Sequence, residues 1–436
     1  MLRDHRLVTP GLRTQDSGLE DRGLSTLASP QSSVLSPPER PQSSRMFFLD
    51  RLNQWRALSR DEQHRRLVSG DVDFTPSDEP DCGRVRVGIW CPCLGLGGAE
   101  VWQLGLAGAV DRSRIAWKGA AVLEGRAASD PRMVEALGAI MPVGHGWNAA
   151  KALAAVSDVI LTWAVTDVDS LLQGLEDPPG VVMACHFPAE SPWGPGTENL
   201  LRSVDRFVAV SELAVESTPP SVRGRVEVIW NAIDPARLQV HRDRSLIRAA
   251  WNVPIEAKVV GFIGRLSPEK DPDAMLRLAS KLEEPWHVVI VGEGRERACL
   301  EHNIETNGLS RVHLVGGDPA AGDVLNGFDA LMVPSHYESF GLTLAEGLRA
   351  GLPVVATRSG LARLVPDLVR EIPVKADGLE LREALMLDMQ DAEATRTRVD
   401  HARAFVEKRL GLDRFGREWT ELLVGAAMTK RAGGSS

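Results

Sequence analysis

Lys258-Val259-Val260-Gly261-Phe262-Ile263-Gly264-Arg265-Leu266-Ser267-Pro268-Glu269-Lys270 is the stretch on which the reading of this chain turns. Its first six residues are a short apolar run without helical spacing, the pattern of a strand buried on both faces. A tight loop follows, and a helix is expected over residues 272–282. The same strand, loop and helix unit recurs on both sides of this stretch. Downstream, strands are expected at 287–291, 312–315, 330–333 and 354–356, with a further helix over 295–307. Upstream, they are expected at 85–90, 158–163, 181–185, 207–210 and 226–229, with a helix over 97–110. Strands alternating with helices predict an α/β chain with two successive doubly wound parallel sheets, broken near residues 231–242. Ligands of such sheets sit at the carboxyl ends of the strands, so two facing sheets enclose a cleft between domains.

Bulk composition narrows the functional classes. The chain has 436 residues, with 50 Lys and Arg against 59 Asp and Glu, for a formal charge of −9. That balance argues against a nucleic-acid partner, whose binding rests on cations meeting phosphates. No apolar run approaches the roughly 18 residues of a spanning helix. No basic start followed by an apolar stretch suggests a secretory signal. A cytoplasmic setting is expected. Five cysteines are an odd number for a disulfide framework. Cys91 and Cys93 lack the second ligand pair of a tetrahedral metal site. The charge is uneven: residues 86–235 hold 11 basic and 17 acidic residues. An anionic acceptor or membrane would therefore need a local basic patch.

The first 45 residues hold eight Ser and five Pro, and no Phe, Trp, Tyr or Ile. They bury too little apolar surface to offset ordering and read as a disordered tail. A short amphipathic helix is expected over 46–58 and a polar linker over 70–83. Domains are expected at 85–235 and 236–410, followed by a helix and tail over 411–436. Phe405, Val406, Leu410, Phe415, Trp419, Leu422 and Leu423 then form an apolar face at helical spacing.

Three loops concentrate the chemistry. Gly97-Gly98-Ala99-Glu100 opens a helix directly after the first strand. Paired glycines let the backbone approach a ligand, and a helix start favours an anion. Arg265 and Lys270 flank the loop quoted above, so both cations can serve one pyrophosphate. Pro334-Ser335-His336-Tyr337-Glu338-Ser339-Phe340-Gly341-Leu342-Thr343-Leu344-Ala345-Glu346 follows a strand. With a helix beginning near Gly341, Glu338 stays in the loop while Glu346 sits one turn inside, so the two acids can touch different parts of one ligand. His186 ends the strand 181–185. His145 and His241 have no motif around them.

Together and in this order, these loops resemble the retaining glycosyltransferases of the GT-B fold, family four (glycosyl transferases group 1). The likeness covers residues 85–425. Val291-Gly292-Glu293-Gly294 matches that family's Val-Gly-x-Gly turn, and Trp230-Asn231-Ala232-Ile233-Asp234 is similar to its hinge segment, with Ala232 in place of Gly. One departure stands at Arg363, where the family often has an acid.

The resemblance implies a nucleotide-diphosphate-sugar donor, UDP- or GDP-linked, with no resident cofactor and no metal. Arg265 and Lys270 would hold the diphosphate, Glu346 the ribose and Glu338 the sugar hydroxyls. Backbone N–H groups at Phe340, Gly341 and Leu342 would face sugar and phosphate. Gly97 and Gly98 would close from the other domain, Val315 and Gly316 would line the base pocket, and His186 would contact the sugar or the acceptor. The acceptor would be a glycan, a lipid-linked or a small-molecule hydroxyl, with room for a peripheral membrane contact. The final helix would cross back to the first domain. No carboxylate nucleophile stands out in the first domain, which favours front-side attack. The alternatives are a sugar-nucleotide-binding module without catalysis and another GT-B enzyme such as a sugar-nucleotide epimerase.

Overall fold

The computed structural model describes Phe74 and residues 83–123, 129–186 and 197–433. All of them lie in one compact unit, Ser44–Ser436. The tail 1–45, the helix expected over 46–58 and the linker 70–83, apart from Phe74 and Gly83, fall outside the described residues.

Seven strands form the first sheet: β1 (Val85–Cys91), β2 (Ile115–Val122), β3 (Val143–His145), β4 (Val159–Thr162), β5 (Gly180–Cys185), β6 (Arg206–Ala209) and β7 (Val226–Val228). Six form the second: β8 (Lys258–Ile263), β9 (Trp286–Val291), β10 (Val312–Gly316), β11 (Ala330–Val333), β12 (Val354–Thr357) and β13 (Arg370–Ile372). The orders are β3-β2-β1-β4-β5-β6-β7 and β10-β9-β8-β11-β12-β13. The strand pairs are parallel throughout.

Both sheets are covered on both faces, which is why their strands are apolar without alternation. Along β5, Val182 and Ala184 face one core while Val181, Met183 and Cys185 face the other. The order reverses between β1 and β4 and again between β8 and β11, leaving a crevice at each switch point. The three chemistry-bearing loops follow β1, β8 and β11, so each opens at such a crevice.

The carboxy-terminal apolar face is not one helix. It breaks at Leu410, between the helices Ala392–Arg409 and Leu412–Gly433. Val406 and Leu410 pack in the core of the second sheet. Phe415, Trp419, Leu422 and Leu423 pack in the core of the first, so the final helix crosses back. Gly416 allows this approach, because a Cβ there would fall on the carbonyl of Ala109, at the end of the helix Gly98–Ala109. The two crossing segments are tied together. Ile233 N–H donates to Leu410 O at 2.9 Å, and Arg414 Nη2 donates to Trp230 O at 2.7 Å and Asn231 O at 3.1 Å.

Candidate active site

The Arg265 loop owes its shape to the turn after β9. Gly264 N–H donates to Val291 O at 3.0 Å, and Leu266 N–H to Glu293 O at 2.9 Å. A Cβ on Gly292 would fall on the carbonyl oxygen of Gly264, and one on Gly294 on that of Leu266. Glycine is required at both places so that two backbones can touch. The Val-Gly-x-Gly turn thus clamps the residues on either side of Arg265, whose exposed side chain extends into the cleft.

Lys270 ends the 3₁₀ turn Pro268–Lys270, and its Nζ lies 2.7 Å from Glu338 Oε1. Ser335 Oγ donates to the same oxygen at 2.8 Å. The loops after β8 and β11 are thereby joined through two of the expected site residues. Gly341 caps the helix Leu342–Ala350 with φ +91°, a conformation that glycine adopts without the Cβ penalty. Phe340 is buried, its carbonyl accepts from Leu361 N–H at 2.6 Å, and its ring packs edge-on against Trp230. Glu346 is buried one turn inside that helix. Its Oε1 accepts from Arg237 Nε at 3.3 Å, a partner outside every sequence motif. Val315 and Gly316 form the end of β10, and Gly316 O accepts from Gly292 N–H at 2.9 Å.

The first sheet contributes the opposite wall. A Cβ on Gly97 would lie 3.3 Å from Arg265 Nη2, and one on Gly98 3.6 Å from Leu342 Cδ1. The paired glycines therefore face the arginine loop and the helix start of the second sheet directly. On one side of the cleft the halves are also hydrogen-bonded. Ser339 Oγ donates to His186 O at 2.8 Å, and Ser211 Oγ donates to Ser339 O. Tyr337 joins the same seam, its hydroxyl hydrogen-bonded to Ser217 and Ser339 and its pKa raised by burial. Arg363 reaches across to Glu216, with Nη1 to Oε2 at 3.2 Å. Both side chains are about half exposed, so the pair carries little energy, of order 0–1 kcal/mol. It does account for the arginine, because an acid there would face Glu216.

His186 is half-buried at the end of β5, edge-on to Trp102 at 4.5 Å between ring centres and to Trp163 at 6.3 Å. Its Nε2 is enclosed without a hydrogen-bond partner among the described residues. Burial lowers its pKa from 6.5 to about 3, so the ring stays neutral at neutral pH. The unfolded chain then binds one more proton than the folded one between about pH 3 and 6.5. Stability contributed by this group is complete above pH 6.5 and falls as pH drops through that window, by up to roughly 1.4 kcal/mol per pH unit. Melting curves from pH 7 to 4 should show a shallower decline for His186→Gln than for the natural chain; parallel declines would mean that this ring does not drive it.

Glu100 closes the Gly-Gly-Ala-Glu loop, and no role of its own was expected for it. Glu100 is nearly buried, and its carboxylate turns back under the glycine loop. Cys93 Sγ donates to Glu100 Oε1 at 3.6 Å. Burial, followed by the charge of Glu100, raises the Cys93 pKa. The Glu100 carboxylate is thus held at the glycine loop of the first domain. Its place in the chain is the third residue of a helix, where an acid reads as a favourable helix start. Cys91 is fully buried.

Known proteins resemble this chain in fold and over part of its length. A D-inositol 3-phosphate glycosyltransferase of Mycolicibacterium gilvum is 32% identical over 234 residues, 48% of this chain and 50% of the relative. Its namesake from Corynebacterium urealyticum is 33% identical over 195 residues, 41% of this chain and 43% of the relative. The chain thus spans about half the length of the curated relatives it matches. Among solved structures, Anabaena Alr3699/HepE in complex with UDP-glucose aligns with a TM-score of 0.67 at 19% identity, covering 78% of this chain and all of that one. WaaG, a glycosyltransferase involved in lipopolysaccharide biosynthesis, aligns with a TM-score of 0.58 at 16% identity over 78% of this chain and all of that one. No helix among the described residues is long and apolar enough to cross a membrane. The fold is that of the GT-B glycosyltransferases, and residues 243–368, which hold Arg265, Lys270, Glu338 and Glu346, match the family model of the glycosyl transferases group 1.

Proposed function

We propose that the protein is a retaining glycosyltransferase that moves a sugar from a nucleoside-diphosphate donor to an acceptor hydroxyl. The observation that carries this reading is the meeting of Arg265 with Gly97 across the cleft, beside the Lys270–Glu338 pair. In the reaction, the bond between the anomeric carbon and the diphosphate oxygen breaks and negative charge grows on the phosphate. Arg265, Lys270 and the helix start at Leu342 are the groups that would stabilise this charge. The acceptor oxygen forms its bond on the face the phosphate leaves, and its proton passes to a phosphate oxygen. Neutral His186 and Glu338 would hold sugar hydroxyls.

A UDP-linked donor is the first choice, since the Anabaena neighbour was solved with UDP-glucose. D-inositol 3-phosphate, named for the curated relatives, belongs in the acceptor panel beside neutral sugars and lipid-linked glycans. Incubation with UDP-, GDP- and ADP-sugars and this panel should release nucleoside diphosphate and give a glycoside of unchanged anomeric configuration. Saturable binding with no release for any pair would leave a binding module instead.

Glu346 gives a separate handle. Its carboxylate, positioned by Arg237, would accept from the ribose hydroxyls. Glu346→Ala should weaken UDP or GDP binding roughly tenfold, the scale of a charged hydrogen bond. Titration calorimetry giving equal affinities would remove the ribose role.

A further inference from the structure

We propose that Glu100 is a positioning residue that holds Arg265 across the cleft, linking the first sheet to the diphosphate through the arginine. The inference rests on the donor-site reading above and goes beyond it, because that reading assigns Glu100 nothing.

The geometry centres on the missing side chain of Gly97. A Cβ there would lie 2.5 Å from Glu100 Oε2 and 3.3 Å from Arg265 Nη2. The carboxylate and the guanidinium therefore face each other through the space that glycine leaves open, within about 6 Å, close enough for a buried carboxylate to attract an exposed guanidinium. Any larger residue at 97 would separate them. Glu100 also needs a cation. It is only 6% exposed, and among the described residues the hydrogen bond to its carboxylate comes from a thiol, a weak donor. Opposite effects on one neighbour support the same proximity, since Glu100 raises the Cys93 pKa while Arg265 lowers it.

Arginine suits this place. Its guanidinium carries five N–H donors in a planar fork and can serve a carboxylate and a phosphate at once. A lysine at 265 would offer one point charge to two anions. Glu100 rides on the helix Gly98–Ala109 of the first half, while Arg265 and the phosphate-facing helix Leu342–Ala350 belong to the second. An anion captured by Arg265 is therefore coupled to both halves. Without the guanidinium, the Glu100 charge would repel the diphosphate. That asymmetry fixes the sign of the coupling.

The test is a double-mutant cycle on the full chain, measuring the Kd of UDP, GDP and inorganic pyrophosphate by titration calorimetry. In the natural background, Glu100→Gln should weaken binding about tenfold, within the range of direct pair couplings. In the Arg265→Ala background the same change should leave affinity unchanged or improve it. The amide keeps the shape of the side chain, so the melting temperature of E100Q should match the natural one. If it does not, the cycle is repeated with Glu100→Asp, which keeps the charge and should retain most of the affinity. Equal costs of E100Q in both backgrounds would overturn the role of Glu100 while leaving the donor site standing. A natural chain that binds none of the three probes would overturn both readings. A non-additive cycle without glycosyl transfer supports the Glu100 link and sinks only the transferase reading.

Discussion

Lys270→Ala is expected to lower the turnover of a verified donor by roughly 10²–10³, the cost of removing one preorganised donor to developing charge. The ammonium is already fixed before any ligand arrives. It sits 2.7 Å from Glu338 Oε1, on a short turn whose N–H at Lys270 donates to Ser267 O at 2.9 Å. Such a cation pays little reorganisation when the phosphate gains charge, so its loss falls on kcat more than on KM. A second consequence concerns Glu338, which keeps Ser335 but loses its cation. The pair is largely buried, so leaving Glu338 without its cation also costs stability. The kinetic loss is therefore read beside the melting curve of the variant, at a temperature where it is folded. Lys270→Arg restores charge but not the compact ammonium, and should recover only part of the rate. Unchanged turnover in K270A would remove Lys270 from the machinery and weaken the case for a two-cation clamp.

Strands buried on both faces, such as β8, β9 and β12, were legible because each holds an unbroken apolar run: residues 259–263, 288–291 and 354–356. Three were not foreseen, each for a local reason. β2 carries Lys118 and Gly119 inside its run, β3 has three residues, and β13 is the polar edge strand Arg370–Ile372. The site loops were legible because they follow strands and open helices, where backbone N–H groups are free for anions. Arg237, Glu100 and the Arg363–Glu216 pair were not, since their meaning comes from tertiary distance. Arg237 meets an acid 109 positions away, and Arg363 meets one 147 positions away. Glu100 lies inside a recognised motif, but only the approach of Arg265 over Gly97 separates a site residue from an ordinary helix start. The break near Leu410 falls where the second domain was expected to end and the final helix to begin, although the apolar pattern continues across it.

Gly292→Ala carries the other large expected effect, and it tests whether backbone packing or side-chain chemistry sets the site. The added Cβ would meet the Gly264 carbonyl, a backbone group of a residue whose N–H is bonded to Val291 O, so no flexible side chain can swing away. Either β9 and its turn or the arginine loop must move. Overpacking of this kind costs typically 1–3 kcal/mol. Arg265 is one residue beyond Gly264, and a displacement near 1 Å at such a group can cost about 10²-fold in rate. We expect a loss of about 2 kcal/mol in urea unfolding, together with a fall near 10²-fold in kcat/KM. Gly105→Ala is the matched comparison. Gly105 lies inside the helix Gly98–Ala109, and a Cβ there would meet nothing within 4 Å. Replacing glycine by the best helix former should raise stability by up to about 1 kcal/mol and leave the rate unchanged. The same one-carbon change then has opposite signs at the two sites, because one glycine is needed for contact and the other is not. If G292A instead unfolded and turned over like the natural chain, the turn would yield without moving Arg265, and the placement of that side chain would have to be credited to the cleft wall at Gly97.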